Sequence, residues 1–181
     1  TEPGVGLTIG TTLSSSYPLS ANASHGTFHN FAGSVSEGNS KALGDFAHAE
    51  GTASYAYGTG SHAEGANNTA NNIASHVEGI SNVTNADAAH AEGGNNTASG
   101  YAAHAEGSYN TASGNSSHAE GYNNRATGIA SHAHGTDNIV HAPAGSAQGA
   151  NNLIEASGVN SSAIGVLNTI AGINSVAQGE D

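Results

Sequence analysis

A glycine recurs every 14 residues along most of this chain, at positions 51, 65, 79, 93, 107, 121, 135 and 149. Most of these glycines end a short sequence of the type Ser/Ala-His-Ala-Glu-Gly, such as SHAEG at 61–65 and AHAEG at 89–93. A 14-residue period is too short for a helical hairpin, but it accommodates two strands of about four or five residues and two tight corners. The repeat therefore predicts an all-β fold, a parallel β-roll or solenoid with two short strands in each coil.

The repeat weakens at both ends of the array. Related sequences end at Gly165 and Gly179, and the interval from Gly149 to Gly165 is 16 residues, so we expect two extra residues within 151–158. A degenerate copy, SVSEG, occupies 34–38. These limits predict a roll over residues 34–181 and an N-terminal cap over residues 1–33, with a binding tip as a further role for the cap.

The composition limits what such a roll can contain. Leu, Ile, Val and Phe together make up 26 of the 181 residues, which is too few for a conventional globular core, so the interior must be narrow. The chain has fourteen acidic residues and only one lysine and one arginine, Lys41 and Arg125. It therefore lacks the positive charge that would neutralise phosphates, and we expect no nucleic-acid partner. No apolar run reaches the roughly 20 residues of a membrane helix, so we expect no direct membrane insertion of this fragment.

Alternation along each strand assigns the side chains of the repeat to faces. In SHAEG, Ala points into the roll, whereas His and Glu share one outer surface and stack from coil to coil at about 4.8 Å. Stacked carboxylates repel one another, so we expect a partner chain to pair with them. The equivalent C-terminal positions become apolar, which is typical of a buried interface. The predicted interface residues are His48, Glu50, His62, Glu64, His76, Glu78, His90, Glu92, His104, Glu106, His118, Glu120, His132, His134, Ile164 and Val176.

At NSSAIG (160–165) and NSVAQG (174–179) the chain resembles the heads of YadA-like trimeric autotransporter adhesins, whose coils carry a motif of the type N-S-V-A-I-G. The resemblance covers roughly residues 34–179, and His and Glu occupy the Val and Ile positions of the family motif. It implies a left-handed roll, a homotrimer of parallel chains, and those two positions directed at the trimer interface. It also implies a non-enzymatic, extracellular head on a bacterial cell surface that attaches to a host-surface protein or glycan. The SHAEG coils are similar to phage tail-fibre domains as well, so a receptor-binding fibre on a virion is the alternative.

Other chemistries are weaker alternatives. Imidazole and carboxylate are metal ligands, and His132 with His134 is the best place for an adventitious metal, although we expect no cofactor. No single serine is distinguished as a nucleophile, so no catalytic residue is predicted. Thr69, Thr97 and Thr111 suggest an ice-binding array, which Val83 and Arg125 interrupt. The candidate ligand-binding aromatic residues are Tyr17, Phe28, Phe31, Tyr101, Tyr109 and Tyr122.

Overall fold

The computed structural model describes residues 35–36 and 39–180, and these residues form a parallel β-solenoid of about ten coils. Consecutive strands alternate between two sheets, and each strand pairs with the strands one coil before and one coil after it, except for the two end strands of each sheet, which pair on one side only. No helix occurs among the described residues, so these residues contain no helix that is long and apolar enough to cross a bilayer. The prediction of an all-β parallel solenoid with 14-residue coils is confirmed.

We name the eleven-stranded sheet the ladder sheet and the ten-stranded sheet the short-strand sheet. The ladder sheet contains β1 Val35–Ser36, β3 His48–Ala49, β5 His62–Ala66, β7 His76–Ile80, β9 His90–Gly94, β11 His104–Ser108, β13 His118–Tyr122, β15 His132–Thr136, β17 Ser146–Ala150, β19 Ser162–Val166 and β21 Val176–Glu180. The short-strand sheet contains β2 Lys41–Ala42, β4 Tyr55–Ala56, β6 Thr69–Ala70, β8 Val83–Thr84, β10 Thr97–Ala98, β12 Thr111–Ala112, β14 Arg125–Ala126, β16 Ile139–Val140, β18 Leu153–Ile154 and β20 Thr169–Ile170.

Two files of small side chains fill the space between the sheets. Alanines of both sheets point inward and are fully buried, as Ala105 and Ala112 illustrate. Larger inward residues occur at Val77 in the ladder sheet and, toward the C-terminus, at Val140 and Ile154 in the short-strand sheet. The sheets are therefore close together along most of the array, and this is why a chain so poor in large apolar residues can bury a core.

The coil corners depend on backbone conformation more than on residue type. The first corner places Asn95 at a φ of 58°, and the equivalent residue of the next coil, Tyr109, has a φ of 60°. At the second corner, Ala88 and Ala102 have φ values of 55° and 50°. Non-glycine residues at positive φ are strained, so the regular winding of the coils must offset this cost.

The two extra residues lie within a narrower segment than the sequence indicates. Ile154 keeps the 14-residue register with Val140, whereas Ser162 pairs with Ser146, which is 16 residues earlier. The insertion therefore follows β18 and precedes β19. Asn151, at the start of the predicted segment, still occupies the corner position of the regular repeat.

Candidate functional site

The outward surface of the ladder sheet, which we call the ladder face, carries the histidines and glutamates of the repeat. In the full strands from β5 to β19 the first residue is partly exposed, the second is buried and the third is partly exposed or exposed, as in His104, Ala105 and Glu106. Strand pairing joins His104 to His118 and Glu106 to Glu120, in register. The structure thus brings the predicted histidines and glutamates together on one face.

The imidazoles form a continuous stack on this face. The ring centroids of consecutive histidines from His48 to His132 are 4.7–4.9 Å apart, and their planes differ by 2–13°. This spacing equals the separation of neighbouring parallel strands, so the solenoid itself sets the stacking distance.

The carboxylates lie beside the imidazole stack, within the same chain and the same coil. The Nε2 atom of His104 lies 3.8 Å from Oε2 of Glu106, and His118 and Glu120 show the same distance. His48 and Glu50 are closer, at 3.4 Å. A separation of 3.8 Å is too long for a hydrogen bond. The intrachain pairs are therefore electrostatic contacts that leave hydrogen-bonding capacity unused.

Six of the stacked imidazoles have a buried nitrogen atom without a hydrogen-bond partner. The histidine residues are partly exposed, but this nitrogen atom is not. An unpaired buried polar atom costs about 1–3 kcal/mol, so such atoms usually indicate a missing partner or ligand. The atoms are the Nε2 atoms of His62, His76, His90, His104, His118 and His132.

Burial and mutual repulsion act against protonation of four of the stacked imidazoles. Desolvation is the main cause that lowers the pKa of His62, His90, His118 and His132 below its ordinary value of 6.5. Neighbouring imidazoles lower the pKa of these residues further, whereas nearby glutamates partly oppose the shift. The neutral form of these four rings is therefore favoured at neutral pH.

Toward the C-terminus the histidine and glutamate positions of the ladder face hold uncharged residues, two of which are apolar. The glutamate position is occupied by Gln148 and then Ile164, and the histidine position by Ser162 and then Val176. The exposed fractions are 38% for Ile164 and 73% for Val176. The structure places both predicted apolar residues on the same face as the histidines.

One coil of the ladder face departs from the pattern. His134 occupies the position of a glutamate, opposite Glu120 of the preceding coil. Its Nε2 atom lies 3.9 Å from Oε1 of Glu120, and its ring centroid lies 6.2 Å from that of His132. His134 is therefore displaced from the main stack.

Two overlapping groups on the ladder face have a geometry that suits a metal ion. In each group, two histidines of adjacent coils and the glutamate of the first coil bring their ligand atoms within 4.8 Å of one another. One group is His104, Glu106 and His118, and the other is His118, Glu120 and His132. Of the two weak metal candidates from the sequence, His132 belongs to a group, and His134 belongs to neither.

The predicted aromatic residues do not form one surface. Tyr109 lies at the corner that follows β11, Tyr122 is the last residue of β13, and the two rings make an edge-to-face contact at 5.8 Å. Tyr101 lies at the other corner, between β10 and β11. All three are exposed, but only the pair could contact one ligand group. Tyr17, Phe28 and Phe31 lie outside the described residues.

The threonines considered for ice binding lie on the outer surface of the short-strand sheet. Register places Val83 between Thr69 and Thr97, and Arg125 directly after Thr111. The outward file is thus interrupted, as the sequence indicated. A flat hydroxyl array does not extend along this sheet.

A buried asparagine ladder lies at the corner that follows the ladder strands, and it was not identified from the sequence. Only the first asparagine of an Asn-Asn pair, such as Asn95, is a corner residue, whereas Asn96 is fully buried. The Asn110 N–H donates to Oδ1 of Asn96 at 2.8 Å, and Asn124 repeats the contact to Asn110 at 2.9 Å. The 14-residue recurrence of this asparagine indicated a constrained position, but it did not indicate that the side chain is buried. The ladder residues are Asn68, Asn82, Asn96, Asn110, Asn124, Asn138, Asn152 and Asn168.

Compared with known proteins, the chain matches no family model and no curated protein. Its function must therefore be inferred from the chemistry of its own faces.

Proposed function

We propose that this chain is the left-handed head of a homotrimeric, non-enzymatic extracellular fibre, in which three parallel copies share their ladder faces. The proposed role of the assembly is to project a rigid surface and to attach to a cell or polymer. Ten intervals between the eleven ladder strands give each face a length of roughly 48 Å. That length allows a long, narrow contact along the whole roll.

The observation that carries the proposal is a contrast between the two outer surfaces. In a solenoid of this type, the narrow interior limits the inward positions to small residues, whereas the fold allows many residue types at the outward positions. On the short-strand sheet they do vary, and the outward file includes Lys41, Tyr55, Val83, Arg125 and Ile139. On the ladder face, His recurs in seven consecutive coils and Glu in six. The fold does not require this repetition, so we attribute it to a contact made by the face.

Charge and polarity support a contact with identical copies. The only lysine and arginine of the chain, Lys41 and Arg125, lie in the short-strand sheet, so imidazoles are the groups of the repeat that can donate to the carboxylates of the ladder face. A parallel copy would present the same imidazoles at the same height. Ile164 and Val176 would lose their contact with water in the same seam.

Sedimentation equilibrium tests the assembly. We expect the wild-type protein at about 10 μM to have the mass of a trimer, about 53 kDa from a chain mass of 17.7 kDa. The double variant Ile164→Asp/Val176→Asp should dissociate, because it places charges in the apolar part of the seam. Ile129→Asp is the matched control, because Ile129 is 61% exposed at a corner away from the ladder face, and it should remain trimeric. A monomeric wild-type protein, or dissociation by the control substitution alone, would contradict the shared seam.

Attachment requires a separate measurement. Beads coated with the wild-type protein should be retained on bacterial cells or on cultured animal cells, whereas beads coated with the dissociated double variant should be retained less. Retention on bacterial cells would favour a phage receptor-binding fibre, and retention on animal cells would favour an adhesin head. Retention on neither surface would refute attachment and leave the assembly intact.

A further inference from the structure

On the ladder face, two groups of three potential metal-ligating side chains have one histidine in common. His118 belongs to both groups, with His104 and Glu106 on one side and with Glu120 and His132 on the other. The Nε2 atoms of all three histidines are buried and lack a hydrogen-bond partner. From this geometry we propose a site for one divalent transition-metal ion per chain, centred on His118. The ion occupies either of two positions, one in each group, and the two positions cannot be filled at the same time.

The stacked arrangement explains why only one ion binds at a time. A tetrahedral ion about 2.0–2.1 Å from each nitrogen holds two ligating nitrogens about 3.4 Å apart. Adjacent rings are 4.7 Å or 4.8 Å apart here and nearly parallel, so the two rings must tilt toward each other to share an ion. When His118 tilts toward His104 it moves away from His132. An ion in one position therefore excludes an ion from the other.

The donor set determines which ions fit. Two imidazole nitrogens and one carboxylate oxygen suit Zn²⁺, Ni²⁺ or Cu²⁺. Mg²⁺ and Ca²⁺ prefer ligand sets made up of oxygen atoms. Water or a group from another molecule would complete the coordination. All three protein ligands come from one chain, so the site does not depend on the proposed trimer.

Calorimetric titration of tag-free protein with ZnCl₂ at pH 7.5 tests the site, and it requires a buffer that does not bind metal. We expect one ion per chain in the wild-type protein. His118→Ala removes a ligand from both positions, so the affinity should fall at least 100-fold. His104→Ala and His132→Ala each leave one position intact, so each should lower the affinity only about twofold, the statistical factor for two equivalent positions. The double variant His104→Ala/His132→Ala should behave like His118→Ala.

His62→Ala is the matched control. His62 has the same position in the strand and the same unpaired Nε2 atom, but it belongs to neither group. It should bind Zn²⁺ like the wild-type protein. Equal weakening by His62→Ala and His118→Ala would show diffuse binding along the stack and would overturn the site. A wild-type stoichiometry of one ion per three chains would overturn the single-chain ligand set.

Two further measurements distinguish metal binding at His118 from misfolding of the variants. Cu²⁺ bound to the wild-type protein should show hyperfine coupling to two nitrogen atoms by electron paramagnetic resonance, and this coupling should be lost in His118→Ala. Circular dichroism of each variant should match the wild-type spectrum, which excludes misfolding as the cause. A trimer that binds no Zn²⁺ at 1 mM (on the order of the weakest affinities that merit a site) would refute the metal site and leave the proposed assembly standing.

Discussion

The asparagine ladder provides the most direct test of what stabilises the coils, and Asn110→Ala is the informative change. The Asn110 Nδ2 donates to the carbonyl oxygens of Glu106 at 2.6 Å and Gly121 at 2.7 Å. Its Oδ1 accepts the backbone N–H of Asn124 at 2.9 Å. One side chain therefore joins its own coil to the next coil from inside the roll, where water cannot replace it.

The expected loss follows from these three contacts. An unpaired Asn124 N–H costs about 1–3 kcal/mol, and the two lost bonds to carbonyl oxygens cost about 1 kcal/mol each. We therefore expect Asn110→Ala to lower the free energy of unfolding by about 3–5 kcal/mol. Urea unfolding followed by circular dichroism measures the loss. Hydrogen exchange should show reduced protection first at the Asn124 backbone amide, because this N–H loses the Asn110 oxygen that accepts its hydrogen bond.

Two variants make the test specific. Asn110→Ser should lose only about half as much as Asn110→Ala, because a hydroxyl keeps one acceptor and one donor. Ser54 occupies this ladder position earlier in the chain and donates to the Gly65 carbonyl oxygen at 3.2 Å. Ser113→Ala changes an exposed residue of the same coil and should be neutral within about 0.5 kcal/mol. An Asn110→Ala variant as stable as Ser113→Ala would refute the reasoning.

Three further predictions concern the corners, the core and the histidine stack. Gly107→Ala should cost more than about 3 kcal/mol in chemical unfolding, because the new Cβ would collide with the Gly121 carbonyl oxygen. Gly94→Ala is the control: its φ is not positive and its new Cβ would meet only the Ser108 Oγ at 3.8 Å, so it should change stability by less than about 1 kcal/mol. Ala119→Leu should overpack the buried interior and cost about 1–3 kcal/mol or more, whereas Ala66→Leu on the outer surface should stay within about 0.5 kcal/mol. Lowering the pH below 6.5 should reduce stability, because the folded-state pKa values of four stacked histidines are depressed and the unfolded chain therefore binds more protons in this range. Thermal unfolding between pH 7.5 and pH 5 measures this effect (a window of about one to two units around the ordinary histidine pKa), and a melting temperature that rises on acidification would contradict it.

The coil length and the direction of each side chain in the ladder strands, inward or outward, could be predicted from the sequence because two simple periodicities determine them. The 14-residue recurrence of glycine defines the coil, and alternation within His104, Ala105 and Glu106 defines the faces. Both rules depend only on local geometry, so neither requires knowledge of the packed structure.

The asparagine ladder could not be assigned in the same way, because alternation fails at a corner. The positive φ of Asn95 turns the chain, so that Asn96 points inward although it follows an exposed residue. Recurrence shows that a position is constrained, but it does not show whether the side chain lies inside or outside. The buried, unpaired Nε2 atoms were also beyond sequence reasoning, because they depend on ring stacking and on a separation of 3.8 Å between His104 and Glu106.

The two ends of the ladder face should respond differently to acid if three copies share it as proposed. From His48 to His132 the face consists of imidazoles stacked at 4.7–4.9 Å. Protonation of His62, His90, His118 and His132 as the pH falls below 6.5 places positive charges within this stack. Around Ile164 and Val176 the face carries no titratable group among its outward residues Gln148, Ser162 and Gln178, so apolar contact there is independent of pH. Acid should therefore separate the copies along the histidine coils while the C-terminal coils still hold them together. Hydrogen exchange at pH 5 would then increase in β5 to β15 before it increases in β19 and β21, and a uniform increase along the roll would show that the face does not act as two parts.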